Sequence, residues 1–187
     1  PQLDADNRRA FLALLAHPGA VHPQLARIHQ YGLLYRYIPA FAHITGRMQY
    51  DLFHQYTVDQ HTLKLIETLD RLVRPDPAYP EAAALISSLQ NPAILYLAAL
   101  FHDIGKGYDG DHSQTGAQIA DLYARENDAI SPEERALLTW LVAHHLDHSL
   151  TAQKKDLTDP DTIAAYAATI PSAEHLDHLY PVSYTHL

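Results

Sequence analysis

The chain has 187 residues, 47% of them hydrophobic, which is the length of one ordinary domain with enough apolar mass to bury a core. A formal charge of −9, from 22 acidic against 13 basic residues, leaves no basic stripe of the kind that grips nucleic acid or an anionic membrane surface. The absence of cysteine excludes disulfides, thiolate nucleophiles and Cys-based zinc sites. No apolar run reaches bilayer length and no signal-peptide pattern opens the chain, so a cytoplasmic location is expected. The chain starts at Pro1 without an initiator methionine, which fits a fragment of something longer.

In chain order, every periodic segment reads as helix. Residues 4–17 form a short helix stopped by Pro18-Gly19. Residues 23–50 hold one or two more, broken at Gly32 and Pro39. The segment 57–73 has Thr57 as N-cap with Gln60 at N3, a capping-box pattern, and His61, Leu65, Leu69 and Leu72 along one face. Residues 91–105 open with Asn91 as cap and Pro92 at the first helical position. They are nearly all apolar, which predicts a central helix buried on most sides and ended by Gly105 and Gly107. Helices over 113–127 and 131–146 follow, the second capped by Ser131 with Glu134 at N3. A last one over 158–170 is capped at Thr158 or Asp159. Nothing alternates as a strand does, and no repeat or linker interrupts the chain. The expected fold class is a single all-α helical bundle.

The chain carries 14 histidines, so one His-Asp dipeptide is no signal by itself. Its setting is more informative. His61 lies in the first turn of one helix, and His102-Asp103 end the central apolar helix. His112 follows a glycine-rich connection, and His144-His145 end another apolar face. Divalent metals are held by neutral imidazoles and ionised carboxylates converging from rigid elements. A carboxylate placed after "LAALFH" is costly to bury unless it is paired or metal-bound. Composition and spacing leave two readings open, a metal site and ordinary hydrogen-bonded core histidines. His17, His22, His29, His43, His54, His148, His175, His178 and His186 are read as surface or packing residues. Asp109 and Asp111 are read as solvated loop acids or as outer support for a metal site.

The order His…His-Asp…His…His-His resembles the HD superfamily of metal-dependent phosphohydrolases. Longer stretches carry the resemblance further: "YGLLYRYIPAFAHITGRMQYDLFHQYTVDQHTL", "LYLAALFHDIGKGYDGDHSQTGA", "WLVAHHLDHSLTAQKKDLTDP" and "LDHLY". Together they look like the central domain of the bifunctional uridylyltransferase/uridylyl-removing enzymes, over most of residues 10–180. The resemblance implies an HD-domain helical bundle that hydrolyses a phosphodiester, removing UMP from a tyrosine of nitrogen regulatory protein PII. The implied cofactor is a divalent metal, Mg²⁺ or Mn²⁺; histidine-rich coordination would also suit another transition metal such as Fe.

Carried over by position, the resemblance implies metal ligation by His61, His102 and Asp103, with His112, His144 and His145 holding a second metal. His102, Asp103 and Lys106 would be catalytic. Lys106, with Lys154 and Lys155, would bind substrate. The implied partners are PII and, in a full-length enzyme, nucleotidyltransferase and ACT domains. The glycine-serine motif with paired aspartates expected of the nucleotidyltransferase has no counterpart in this chain. The superfamily's closing carboxylate is expected soon after "LDHLY", where this chain reads "PVSYTHL", and Asp177 is a poor substitute. The expected organisation is an HD-domain fragment over 1–180, with a helical lead-in over 1–50, and an atypical tail over 181–187 arising from truncation or artefact. Two other readings stand beside this one: a general HD-type nucleotide phosphohydrolase, and a catalytically inactive helical interaction or regulatory module.

Overall fold

A computed structural model describes residues 4–48, 56–75 and 80–183. Eleven α-helices are described: α1 Ala5–Leu15, α2 Val21–Gln30, α3 Leu34–Tyr37, α4 Val58–Leu72, α5 Pro80–Ser88, α6 Pro92–Phe101, α7 His112–Arg125, α8 Pro132–His144, α9 Asp147–Lys154, α10 Pro160–Ala167 and α11 Ala173–Ser183. Two 3-10 turns, Pro39–His43 and Ile104–Gly107, complete the regular structure. The described residues contain no strand, only an isolated bridge between Met48 and Thr57. The all-α expectation is met. No single described helix is long and apolar enough to cross a membrane.

The fold is organised around α6. Every residue from Ala93 to Phe101 is buried, because α1, α4, α7, α8 and α11 all pack against this helix. A helix apolar on all sides has no solvent face to present and takes the centre of the bundle. Its start is set by Asn91, whose side chain accepts from the Ala93 amide, and by Pro92 in the first turn. The Asn91 side-chain amide also donates to Glu134, which closes the capping box of α8 with Ser131, so two helix starts are tied together.

Several expectations are adjusted by the packing. Thr57 is the N-cap of α4, but its hydroxyl makes no cap bond and is buried with no hydrogen-bond partner among the described residues. Its backbone instead pairs with Met48, and the Val58 amide donates to the Arg47 carbonyl at 3.0 Å. The central helix stops at Phe101 rather than continuing to Gly105. Helices α5, α9 and α11 have no counterpart in the sequence reading. Asp111 is the N-cap of α7, accepting from the Ser113 and Gln114 amides, so it has a capping role at the start of the helix that carries His112. The residues 184–187 of the atypical tail, together with His54 and His186, lie outside the described residues.

A second buried carboxylate knits the N-terminal helices to the core. Asp70 on α4 accepts from the amides of Gly19 (2.8 Å) and His22 (2.7 Å) and from the Tyr96 hydroxyl (2.6 Å). Burial and this neighbouring carboxylate push the Tyr96 phenol far above its ordinary range, which keeps it a donor.

Candidate metal centre

His102 and His145 are placed by the same local device. Each is the C-cap residue of an apolar helix, α6 and α8 respectively, where the final carbonyls lack amide partners. The His102 Nδ1 lies 2.7 Å from the Ala99 carbonyl oxygen and the His145 Nδ1 lies 2.8 Å from that of Val142. A carbonyl only accepts, so Nδ1 carries the proton in both rings. In the neutral imidazole the Nε2 lone pair is then the inward-facing group. Both rings are fully buried.

Both lone pairs point at Asp103, which is itself 1% exposed. His102 Nε2 lies 3.3 Å from Asp103 Oδ2, and His61 Nε2, from the first turn of α4, lies 3.7 Å from the same oxygen. His145 Nε2 lies 3.7 Å from Asp103 Oδ1, and His112 Nε2, from the first residue of α7, lies 3.8 Å from that oxygen. The two carboxylate oxygens therefore face two different pairs of imidazoles. Adjacent rings follow one another around the carboxylate, with centroids 5.3 Å apart for His61–His102, 5.4 Å for His102–His145 and 5.6 Å for His112–His145.

These residues fit a metal. Most of the nitrogen–oxygen separations are too long for hydrogen bonds. The His102–Asp103 separation falls within the spacing of about 3.0–3.5 Å expected between neighbouring ligands when each sits about 2.0–2.2 Å from one ion, and the other three, at 3.7–3.8 Å, lie just above it. Two sets have ligand atoms within 4.8 Å of one another: His61, His102 and Asp103, and Asp103, His112 and His145. Asp103 Oδ1 and His112 Nε2 are buried with no hydrogen-bond partner among the described residues. An acceptor facing an acceptor indoors is repulsive unless a cation lies between them. The Nδ1 anchors on Ala99 and Val142 are hydrogen bonds of the kind that orient imidazoles toward a metal.

Electrostatics agree with the geometry. Burial alone would push the Asp103 carboxyl up. With no ion bound, the positive charge and N–H donor of His102 in its protonated form, then the donor of His145 and the charge of Lys106, outweigh that cost and hold it well below the usual carboxylate range; a bound cation would take the place of those imidazole protons. Lys106 Nζ lies 2.8 Å from Asp103 Oδ2. Burial pushes His112 below its ordinary value, favouring the neutral ring.

The close approach of α7 comes from two glycines. A Cβ on Gly105 would stand 2.0 Å from the His112 carbonyl oxygen, so only glycine lets the turn after Asp103 lie under the start of α7. A Cβ on Gly116 would meet the Val142 side chain at 3.1 Å, where α7 and α8 touch. That contact brings His112 beside His145.

Not every histidine of the sequence pattern joins this centre. His144 Nδ1 lies 2.7 Å from Asp147 Oδ2, and its ring stacks on Trp140 with centroids 4.6 Å apart. It belongs to neither metal set. The physical reason is helical geometry: neighbouring side chains diverge by about 100°, so His144 and His145 face different surroundings. Lys154 and Lys155 are exposed. They line a cavity of about 300 Å³ with Leu150, Thr151, Tyr166 and Thr169, to which none of the five clustered residues contributes. Asp177 is in neither metal set. The last described residue, Ser183, is buried at the centre's edge, its hydroxyl donating to the His145 carbonyl at 3.1 Å.

Lys106 and His112 also line a second cavity of about 320 Å³, completed by Arg47, Met48, Val58, Tyr108 and Gly110. Arg47 and Tyr108 were not singled out from the sequence. Both lie within family-like stretches, but no spacing rule marks either one. His29, read as a packing residue, pairs through Nε2 with the buried Asp59 at 2.9 Å.

Comparison with known proteins follows the same lines. The HD domain family model matches residues 54–174, more than half of the chain. Over 179 residues, 95% of this chain, it is 47% identical to the bifunctional uridylyltransferase/uridylyl-removing enzyme of Ectopseudomonas mendocina (strain ymp). It is 45% identical to that of Methylococcus capsulatus and 46% to that of Azotobacter vinelandii over the same length. The match spans 20% of each relative, so the chain corresponds to about a fifth of their length. A helical bundle that gathers four histidines around one buried aspartate, within the matched span, places the chain in the HD domain family.

Proposed function

We propose that this chain is a metal-dependent phosphohydrolase that cleaves a phosphodiester to release UMP from uridylylated PII. The observation that carries the reading is Asp103, whose two oxygens each face a separate pair of histidines. His61, His102 and Asp103 would hold one divalent ion, and Asp103, His112 and His145 a second. When bound, such ions acidify water and polarise a phosphoryl oxygen, the two demands of phosphodiester hydrolysis. The nitrogen-rich donor set favours Mn²⁺, or another transition metal such as Fe, over Mg²⁺, which prefers oxygen.

The protein's own contribution is placement. The carbonyls of Ala99 and Val142 hold His102 and His145 in one tautomer, so their Nε2 atoms stay available to a cation. Lys106, held by Asp103 at the edge of the 320 Å³ cavity, brings a fixed positive charge to where phosphoryl oxygens would lie. Burial of the centre lowers the local dielectric and strengthens each of these interactions. The choice of uridylylated PII as substrate is supported by the relatives, whose names include uridylyl-removing activity.

The test is release of UMP from uridylylated PII by the Mn²⁺-loaded protein, alongside its metal content. Release with bound metal is the expected result. Faster turnover of free nucleotides than of uridylylated PII would assign a general nucleotide phosphohydrolase instead. Full metal occupancy with no hydrolysis of either substrate would assign an inactive module.

A further inference from the structure

We propose that the 320 Å³ cavity beside His112 seats the nucleoside of the substrate, with Tyr108 stacking on the base and Arg47 hydrogen-bonding its carbonyl or ribose oxygens. The inference rests on the phosphodiesterase reading above and adds the residues that recognise one side of the scissile bond.

The cavity is joined to the metal centre by shared residues. Lys106 and His112 line it, and both also face Asp103, at 2.8 and 3.8 Å. A phosphoryl group at the centre would therefore have one substituent directed into this space. The volume lies at the lower end of the range of about 300–1,000 Å³ usual for small-molecule sites, which suits one nucleoside rather than a protein loop.

Its walls are held in position. The Arg47 carbonyl accepts from the Val58 amide, and Gly46 donates to the buried Asp59 at 3.1 Å, so this corner is tied to the start of the helix that carries His61. The Arg47 guanidinium donates to the Gly107 carbonyl at 3.2 Å, which spans the cavity's rim from one segment to the other. A guanidinium has five N–H donors, so this bond leaves donor capacity for a ligand. The Tyr108 ring packs against His43 with centroids 4.8 Å apart and is 37% exposed.

The chemistry selects a nucleoside over the tyrosyl side of the bond. A planar base satisfies the aromatic face, and base carbonyls and ribose hydroxyls satisfy the guanidinium. A phenyl ring would satisfy the first and offer no acceptor to the remaining donors of the guanidinium. Arg47 and Tyr108 are thus specificity residues for the nucleotide half of the substrate.

The test compares affinities of the Mn²⁺-loaded protein for UMP, phenyl phosphate and inorganic phosphate, by calorimetry, in the wild type and in Tyr108→Ala, Tyr108→Phe and Arg47→Ala. The expected result is UMP binding weakened about tenfold in Tyr108→Ala and in Arg47→Ala, retained in Tyr108→Phe, with inorganic phosphate unchanged throughout. Unchanged UMP affinity in both alanine variants overturns the proposal. So does a loss shared equally by UMP and inorganic phosphate, which would make the effect one on the metal centre. Weakened phenyl phosphate with unchanged UMP would assign the cavity to the tyrosyl side and overturn it as well. A wild-type protein that takes up no metal would instead defeat the underlying hydrolase reading, a result distinct from any of these.

Discussion

His145 presents Nε2 to Asp103 Oδ1 at 3.7 Å while its Nδ1 is committed to the Val142 carbonyl at 2.8 Å. His102 repeats the arrangement on the other carboxylate oxygen, with Ala99 as its anchor. One aspartate therefore belongs to both candidate ligand sets, and the two should be separable by mutation. Asp103→Asn is expected to abolish binding at both, whereas His145→Ala should remove one equivalent and leave the set of His61 and His102. Elemental analysis after dialysis against Mn²⁺ reads the stoichiometry directly. Two equivalents retained in Asp103→Asn would rule out the shared carboxylate.

His144 and His145 are adjacent and are expected to behave oppositely. His144 is paired with Asp147 and stacked on Trp140. His144→Ala should therefore keep metal stoichiometry and leave hydrolysis within about twofold of wild type, because exposed or half-exposed pairs contribute only about 0–1 kcal/mol. His145→Ala should lose nearly all activity. Equal loss in the two variants would show that His144 acts at the centre.

Gly105 has no room for a methyl group, with the His112 carbonyl oxygen 2.0 Å from where a Cβ would stand. Gly105→Ala must push the start of α7 away, at a cost of about 1–3 kcal/mol or more for overpacking. Because His112 is the first residue of α7, the second ligand set should weaken as well. Urea unfolding combined with metal titration checks both parts. A variant as stable as wild type with two bound ions would contradict the packing argument.

Asp70 is expected to matter for stability and not for metal. Its three partners, the amides of Gly19 and His22 and the Tyr96 hydroxyl, are left without an acceptor in Asp70→Ala. The expected loss is about 3–5 kcal/mol, and Tyr96→Phe should lose about 1.5–3 kcal/mol. Denaturant midpoints at saturating Mn²⁺ give these numbers, and metal stoichiometry should not move.

His148 supplies a pH dependence. Burial against α10, where its Nδ1 meets the Tyr166 hydroxyl at 3.0 Å, pushes its pKa below the ordinary 6.5. The unfolded chain therefore takes up the proton first as pH falls. The neutral ring's contribution is present in full above about pH 6.5 and is lost as pH falls from there through the folded value. Wild type should lose more stability than His148→Gln between pH 7.5 and 5.5. Parallel losses in the two proteins would remove His148 as the source.

The apolar run 93–101 and the Asn91-Pro92 start were sufficient to identify α6 as the central helix, because a helix with no polar face has only one place to go. The Ser131 and Glu134 pair likewise identified the start of α8. Helices α5, α9 and α11 escaped because they are short or poorly patterned and owe their form to docking on neighbours. In the centre, the order of His61, His102-Asp103, His112 and His145 was legible along the chain, as motif residues on core-facing helices.

The sequence by itself determined an all-helical chain, a buried His-Asp pair and the family likeness, since these depend on residue type and local period. Only the tertiary structure decided which of two adjacent histidines turns inward, that Asp103 divides its oxygens between two imidazole pairs, and that Arg47 and Tyr108 meet beside them. Those facts depend on crossing angles and side-chain direction, and on segments about 60 residues apart such as Arg47 and Gly107, whose contact no local pattern encodes.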